Sequence, residues 1–289
     1  MYKSGTILVS LLLLAAMAVA QAPIFNERAD TSRLPQFYRP VTAILGAFPP
    51  ELALLKAQLQ RSHDTVIQHI LFTEGWLEGK QVVLAQTGIG KVNASVATTL
   101  VIEHFQPQRL LFSGIAGGLN PALLPGDLVI GAKVAHHDYG TQTPDSILRR
   151  PTRNPFTMQE NPIYFASDSN LVLTAIEASK AVKFEAVGSR LPKVITGVIV
   201  TGDVFVASDQ ATKALHATMQ GDATEMEGAA VAQVCWQQRT PFIVIRSLSD
   251  DAGNNASALV RNFYEIAARN AASLVVALVK QLPAGGKRN

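Results

Sequence analysis

Residues 241–250 read Pro-Phe-Ile-Val-Ile-Arg-Ser-Leu-Ser-Asp. A proline opens the run, an acid closes it, and Phe242 to Ile245 between them are apolar without a break. Such a short apolar run between turn formers predicts a strand. The lack of polar alternation predicts burial on both faces. Five more runs share this character, at 41–46, 81–87, 109–113, 127–134 and 194–201. Helical patterns lie between them. Residues 91–105 carry Val92, Val96 and Leu100 at four-residue spacing, and Ser208 is a good cap for 208–216. Residues 227–237 and 257–281 follow, the latter with Leu259, Phe263, Ile266 and Leu274 on one side. Strands alternating with helices predict an α/β fold of three layers, α/β/α, around a central twisted sheet that is mostly parallel or mixed. No linker interrupts 41–282, which reads as one domain. Residues 140–166 hold four prolines and few periodic apolar positions, and so predict a long surface loop.

Composition agrees with a packed protein. Of 289 residues, 48% are hydrophobic and 16% charged, which excludes a disordered chain. Lys plus Arg is 25 and Asp plus Glu 22, a surplus of three with no basic run interleaved with aromatics. Nucleic acid is therefore not an expected partner. Cys235 is the single cysteine, which excludes an internal disulfide and a multi-thiolate metal site. No metal or cofactor is expected.

The N-terminus reads as an address. Lys3 precedes an apolar run over 7–20, and Ala18-Val19-Ala20 offers a small-x-small cleavage site before Gln21. The run is short for a bilayer span, which takes about 20 apolar residues. Residues 1–20 thus predict a signal peptide and an exported, periplasmic protein without stable membrane association after cleavage. The alternative is an anchor that stays uncleaved. Residues 21–40, with three prolines, read as an extended arm, and 283–289 as a flexible tail.

Several motifs fail on inspection. Gly88-Ile89-Gly90-Lys91 lacks the spacing of a phosphate loop, and Asn93 stands where a dinucleotide fingerprint needs its third glycine. Gly114, Gly117 and Gly118 fit neither template. These glycines follow strands, so they mark close backbone approach, either to a ligand or to a helix. His136-His137-Asp138 could offer a metal site, but an extended chain points the adjacent histidines apart, against a shared ion. A G-x-S-x-G nucleophile elbow is absent.

Carboxylates are scarce enough for their positions to inform. Asp250 ends the 241–250 run, Glu225 and Glu227 flank Met226, and Glu51 lies five residues beyond Gly46. Three strand ends would each deliver an acid to one edge of the sheet, where α/β proteins bind ligands. Helix-start acids favoured by the macrodipole are the ordinary alternative. Such a set is compatible with cleavage of a glycosidic bond, which needs an acid on the leaving group and a base on water. Pattern alone does not select that reaction.

Six stretches do more. They are GAFPPELALL (46–55), TGIGKVNASVATTLVIEHFQP (87–107), SGIAGGLNPALLPGDLVI (113–130), VTGDVFV (200–206), ATEMEGAAVAQVC (223–235) and PFIVIRSLSDDAG (241–253). Together, and in this order, they resemble the nucleoside phosphorylase/nucleosidase superfamily, and within it the 5′-methylthioadenosine/S-adenosylhomocysteine nucleosidases. The resemblance implies a purine nucleoside substrate, no cofactor, and a homodimer whose partner completes the pocket near the 5′ group. It implies that Glu51 activates the attacking water and that Asp250, supported by Ser249, protonates the purine at N7. Glu227 would bind the ribose hydroxyls, Met226 would pack on the sugar, and Arg246 and Glu225 would order that side. Phe205 would stack on the base, with the Val206 backbone reading its edge. Ala116, Gly117, Ile89 and Phe48 would complete the substrate contacts.

The same resemblance frames the alternatives. Phosphorolysis needs an arginine cluster, one member of it in the loop after the first strand, yet residues 46–55 hold no arginine and offer Glu51. A secreted nucleoside-binding or storage protein could dispense with Glu51, Glu227 or Asp250, and all three are present. Departures fall at Phe48-Pro49-Pro50, at Ile115 where a serine is usual, and at Val260 where an aromatic is usual.

Overall fold

The computed structural model describes residues 41–283. The leader and arm read at 1–40 lie outside the described residues, as does the tail beyond Pro283. The 241–250 run forms strand β12 (Phe242–Asp250), buried at every position. Phe242 and Val244 enter one core, and Ile243 and Ile245 enter the other. Strands β1 (Thr42–Gly46) and β5 (Arg109–Gly118) divide the same way, with Ala43, Leu45, Leu110 and Phe112 on one face and Ile44 and Leu111 on the opposite one. Successive strand side chains point to opposite faces, so a run that feeds two cores has no polar alternation.

One core is closed by α2 (Lys91–Phe105) and α5 (Gly228–Gln237), which pack on each other and supply small residues such as Ala94 and Ala229 to it. The second is closed by α1 (Pro49–Gln58), α3 (Ser169–Ser179) and α6 (Ala256–Gln281), which supply Leu52, Leu171 and Leu274. The remaining helix, α4 (Asp209–Met219), begins at Ser208, whose hydroxyl accepts the Ala211 N–H at 3.4 Å. Among the described residues no helix is long and apolar enough to cross a membrane.

Among the described residues the main sheet has ten strands and is mixed. Besides β1, β5 and β12 it contains the meander β2 (Gln60–Ile67), β3 (Ile70–Leu77) and β4 (Lys80–Gln86), together with β6 (Leu128–His136), β9 (Tyr164–Ala166), β10 (Val194–Thr201) and β11 (Ala223–Glu225). Strand β12 runs parallel to β5 but antiparallel to β6. Strand β11 is parallel to β10 yet antiparallel to the end of β5, pairing Ala223 with Gly118 and Thr224 with Gly117. Strands β5, β12, β6, β10 and β11 therefore close on themselves. The strand-end acids of β1, β11 and β12 reach one cavity, at a part of the sheet that is closed. They meet because β11 folds back onto the far end of β5.

Residues 140–166 are more ordered than a loop. A hairpin forms from β7 (Gly140–Gln142) and β8 (Ile147–Arg149), and β9 adds to the sheet beside β6. Three-residue strands are too short for a readable period.

Candidate active site

Glu51 sits in the first turn of α1, with Pro49 and Pro50 occupying the helix start, where a missing N–H costs nothing. The departure Phe48-Pro49-Pro50 thus opens a helix that the apolar pattern did not signal. The Glu51 side chain turns back, accepting the Ala47 N–H on Oε2 at 2.5 Å, much as a capping-box acid does. Its other oxygen accepts the Ile115 N–H at 2.9 Å, across 64 residues of chain. That second contact separates it from an ordinary helix-start acid. Burial raises its pKa, opposed by nearby Arg246 and by the backbone donors.

Arg246 lies in the middle of β12, fully buried, its guanidinium 4.1 Å from the centre of the Phe112 ring. Nη2 donates to Glu225 Oε2 at 2.5 Å and lies 3.9 Å from Glu227 Oε2. Burial alone would weaken its hold on the proton, but Glu225, Glu51 and Glu227 more than offset this and raise its pKa. Its register neighbour on β5 is Gly114, and a Cβ there would collide with both Arg246 Nη1 and Glu51 Oε1. Gly114 therefore leaves room for the arginine and the acid to approach each other.

Glu225 ends β11 and is held by the Thr201 hydroxyl and by the Gly228 N–H at 2.8 Å, besides Arg246. Glu227 takes a different direction, because its φ of −135° and ψ of −37° start α5 instead of extending β11. The two acids therefore do not lie on one extended segment, though both reach the cavity. Glu227 Oε1 accepts the Gly90 N–H at 2.8 Å. Burial and then the Glu225 charge push its pKa up to about 8, against Arg246 and the Gly90 bond. The failed phosphate loop thus turns a backbone donor to a carboxylate. Lys91 anchors that loop through its ammonium to Asp138 at 2.7 Å and its N–H to Asp203 at 2.8 Å.

Asp250 closes β12, 1% exposed. The Ser249 hydroxyl donates to Oδ2 at 2.7 Å and the Ala252 N–H to Oδ1 at 2.8 Å. Burial raises its pKa in spite of both bonds.

These acids share one cavity of about 220 Å³. Glu51, Glu225, Glu227, Ser249 and Asp250 supply its polar wall. Phe48, Ile89, Ala116, Gly117, Phe205 and Met226 line it as well, with Ile115 and Val260, the two departures. Phe205 and Ile89 stand about half exposed, at 49% and 57%. Val206 lies in a small recess beside Gly117, Phe205 and Asp250, and Arg246 stands behind the wall. Sequence reasoning missed Ala47 and Thr224, which line the cavity, and Thr201, which braces Glu225. None of these three has a motif of its own. A wider depression of about 640 Å³ beside Trp236 and Thr240 contains none of the three acids at 51, 227 and 250.

The histidine pair does not converge on an ion. His136 Nε2 lies 3.1 Å from the Gln233 side-chain oxygen, while the His137 ring packs against Gly202. Among the described residues no group of three or more His, Cys, Asp or Glu is placed to hold a metal.

Comparisons with known proteins bear on this arrangement. The family model described as "Phosphorylase superfamily" matches residues 41–280. A 5′-methylthioadenosine/S-adenosylhomocysteine nucleosidase of Psychromonas ingrahamii is 39% identical over 240 residues, covering 83% of this chain and 98% of the relative. The solved nucleosidase of the same name from Neisseria meningitidis, in complex with methylthio-immucillin-A, is 35% identical with a TM-score of 0.71, covering 84% and 99% of the two chains. A futalosine hydrolase of Helicobacter pylori is also similar, at 28% identity and a TM-score of 0.70, over 84% and 99%.

Proposed function

The chain belongs to the phosphorylase superfamily, and on that premise we propose that it is a purine nucleosidase. It hydrolyses the N-glycosidic bond of 5′-methylthioadenosine, S-adenosylhomocysteine or a related adenine nucleoside, giving free base and (thio)ribose. The observation that carries this reading is Glu51. It stands buried in the cavity wall, and among the described residues no arginine or lysine lines the cavity. A phosphate nucleophile would meet that carboxylate with repulsion, whereas water would meet a base. The one guanidinium behind the wall, Arg246, is already paired with Glu225.

In the proposed reaction Glu51 takes a proton from water as the oxygen attacks C1′. The glycosidic C–N bond breaks, and its electron pair passes to the purine, which receives the proton of Asp250 at N7. Burial raises the Asp250 pKa, which favours the protonated form this step needs. Glu227 accepts from the ribose hydroxyls, and Phe205 stacks on the base. The apolar group of Phe48, Ile89, Ile115 and Val260 suits a thioether at the 5′ position. The similarity to a futalosine hydrolase makes the 5′ substituent the part of the substrate to vary first.

Export and pairing belong to the same proposal. The 1–20 pattern directs the chain to the periplasm. Ile89, Val92 and Val96 are exposed at the start of α2, beside the cavity, and offer an apolar face to a second copy. N-terminal sequencing of secreted protein and sedimentation of the purified chain test these two points.

The enzymatic reading is tested by incubating the purified protein with methylthioadenosine, adenosine and inosine, with and without phosphate. Free sugar formed without phosphate is the expected product. Pentose 1-phosphate formed only with phosphate would make the protein a phosphorylase. Binding without turnover would make it a nucleoside-binding protein.

A further inference from the structure

Asp209, the first residue of α4, fastens that helix to the loop that follows Asp250. Its Oδ1 accepts the Asn254 N–H at 3.0 Å and its Oδ2 accepts the Asn254 side-chain amide at 2.9 Å. Asn254 returns a bond, its oxygen accepting the Asp209 N–H at 3.4 Å. Close by, the Ala252 carbonyl accepts the Ser208 N–H at 3.0 Å and the Thr212 hydroxyl at 2.7 Å. Glycine at 253 is what admits the carboxylate, since a Cβ there would stand 2.5 Å from Asp209 Oδ1.

The residue held between these bonds is strained. Ala252 has a φ of 51°, a left-handed conformation that disfavours any residue with a Cβ. Its N–H, in that conformation, donates to Asp250 Oδ1 at 2.8 Å. An alanine stays in such a conformation where surrounding contacts over-determine it, and the five bonds from Ser208, Asp209, Thr212 and Asn254 do so. The clasp also reaches a second segment of the cavity lining. Phe205 and Val206 lie just before α4, so one polar contact joins the segment bearing the stacking ring to the loop bearing the acid.

A helix-start aspartate interacts with the macrodipole wherever it points. That role needs no Asn254, no glycine at 253 and no left-handed Ala252. We propose that Asp209 is a positioning residue, which through Asn254 and Ala252 fixes the Asp250 carboxyl and the Phe205 segment around the leaving purine. The proposal deepens the nucleosidase reading and rests on it.

The test compares two substrates. An adenine nucleoside needs a proton on its leaving group, whereas a riboside of 4-nitrophenol departs as a phenolate and needs none. The Asp209→Ala variant is expected to lower kcat for the adenine nucleoside about tenfold or more, since misplacing a reacting group by about 1 Å can cost a hundredfold. Its rate on the nitrophenyl riboside should stay within about twofold of wild type, because the general-acid contribution is absent there. Asn254→Ala should reproduce the pattern, and the double variant should fall no further than the worse single, as coupled partners do. Asp209→Asn keeps one acceptor for Asn254 and should restore part of the loss. Wild-type kcat in Asp209→Ala, equal losses on both substrates, or losses that multiply in the double variant would each overturn the proposal. If wild-type protein cleaved neither substrate, the nucleosidase reading itself would fall, an outcome distinct from these three.

Discussion

Arg246 Nη2 lies 2.5 Å from Glu225 Oε2, with both side chains at 3% exposure or less. This ion pair is the electrostatic hub of the cavity, because the same guanidinium faces Glu227 and Glu51. One cation among three buried acids leaves a surplus of negative charge; the pKa of Glu227, raised to about 8, relieves it by holding a proton there, while Arg246 and the backbone donors oppose the rise at Glu51. Replacing Arg246 with methionine keeps much of the packing on Phe112 and strands the Glu225 charge. Breaking a buried pair from one side costs about 3–5 kcal/mol. Arg246→Met is therefore expected to lose that much stability in urea denaturation. A loss below about 1 kcal/mol would mean the pair contributes little.

Glu51→Gln tests the base. Glutamine is isosteric, and its oxygen can still accept one of the two backbone bonds from Ala47 and Ile115. The fold should survive while the proton acceptor is lost. General-base contributions of about 10²–10⁴-fold set the expected fall in kcat. Steady-state rates with methylthioadenosine check it, and a variant within threefold of wild type would remove Glu51 from its assigned role.

Asp250→Asn tests the acid. The amide can accept the Ala252 N–H and donate to the Ser249 oxygen, so both bonds now made to Asp250 have replacements. What it cannot do is deliver a proton to a purine. A kcat lower by about 10²–10⁴-fold is expected, with adenine binding measured by calorimetry changed far less. An unchanged kcat would show that the base departs without this proton.

What the sequence made legible follows from how far each signal reaches along the chain. β12, β1 and β5 are visible because double-sided burial leaves uninterrupted apolar runs. α2 is visible at its full length, 91–105, because its period is regular. α1 is not legible, since it is short and no regular apolar period follows Pro49 and Pro50. β2 was hidden too, because it is exposed at most positions and carries no apolar run. In the cavity, Glu51, Glu227 and Asp250 came from strand-end positions sharpened by family resemblance. The reason for Gly114 did not, because it lies in two side chains from distant segments, Arg246 and Glu51. The closure of β11 onto β5 is a pairing of residues about a hundred positions apart, and no local pattern encodes it.

Glu227 gives the protein a pH dependence that can be isolated. Burial, together with the Glu225 charge, raises its pKa from 4.5 to about 8 in the folded protein. Between those values the folded state holds a proton that the unfolded state has released. Stability from this group is therefore fully present below about pH 4.5 and is lost as pH rises through about 8. The slope from one group is at most about 1.4 kcal/mol per pH unit. Glu227→Gln removes the titration and keeps an oxygen for the Gly90 N–H, now bonded to Glu227 at 2.8 Å. The variant should therefore lose less stability than wild type between pH 5 and pH 8, read as urea midpoints across that range. Glu51 and Asp250 titrate in both proteins, so the difference between the two curves belongs to Glu227 and to the acids it repels. Parallel curves over the whole range would mean that Glu227 is ionised in the folded protein throughout, and that Arg246 offsets its burial.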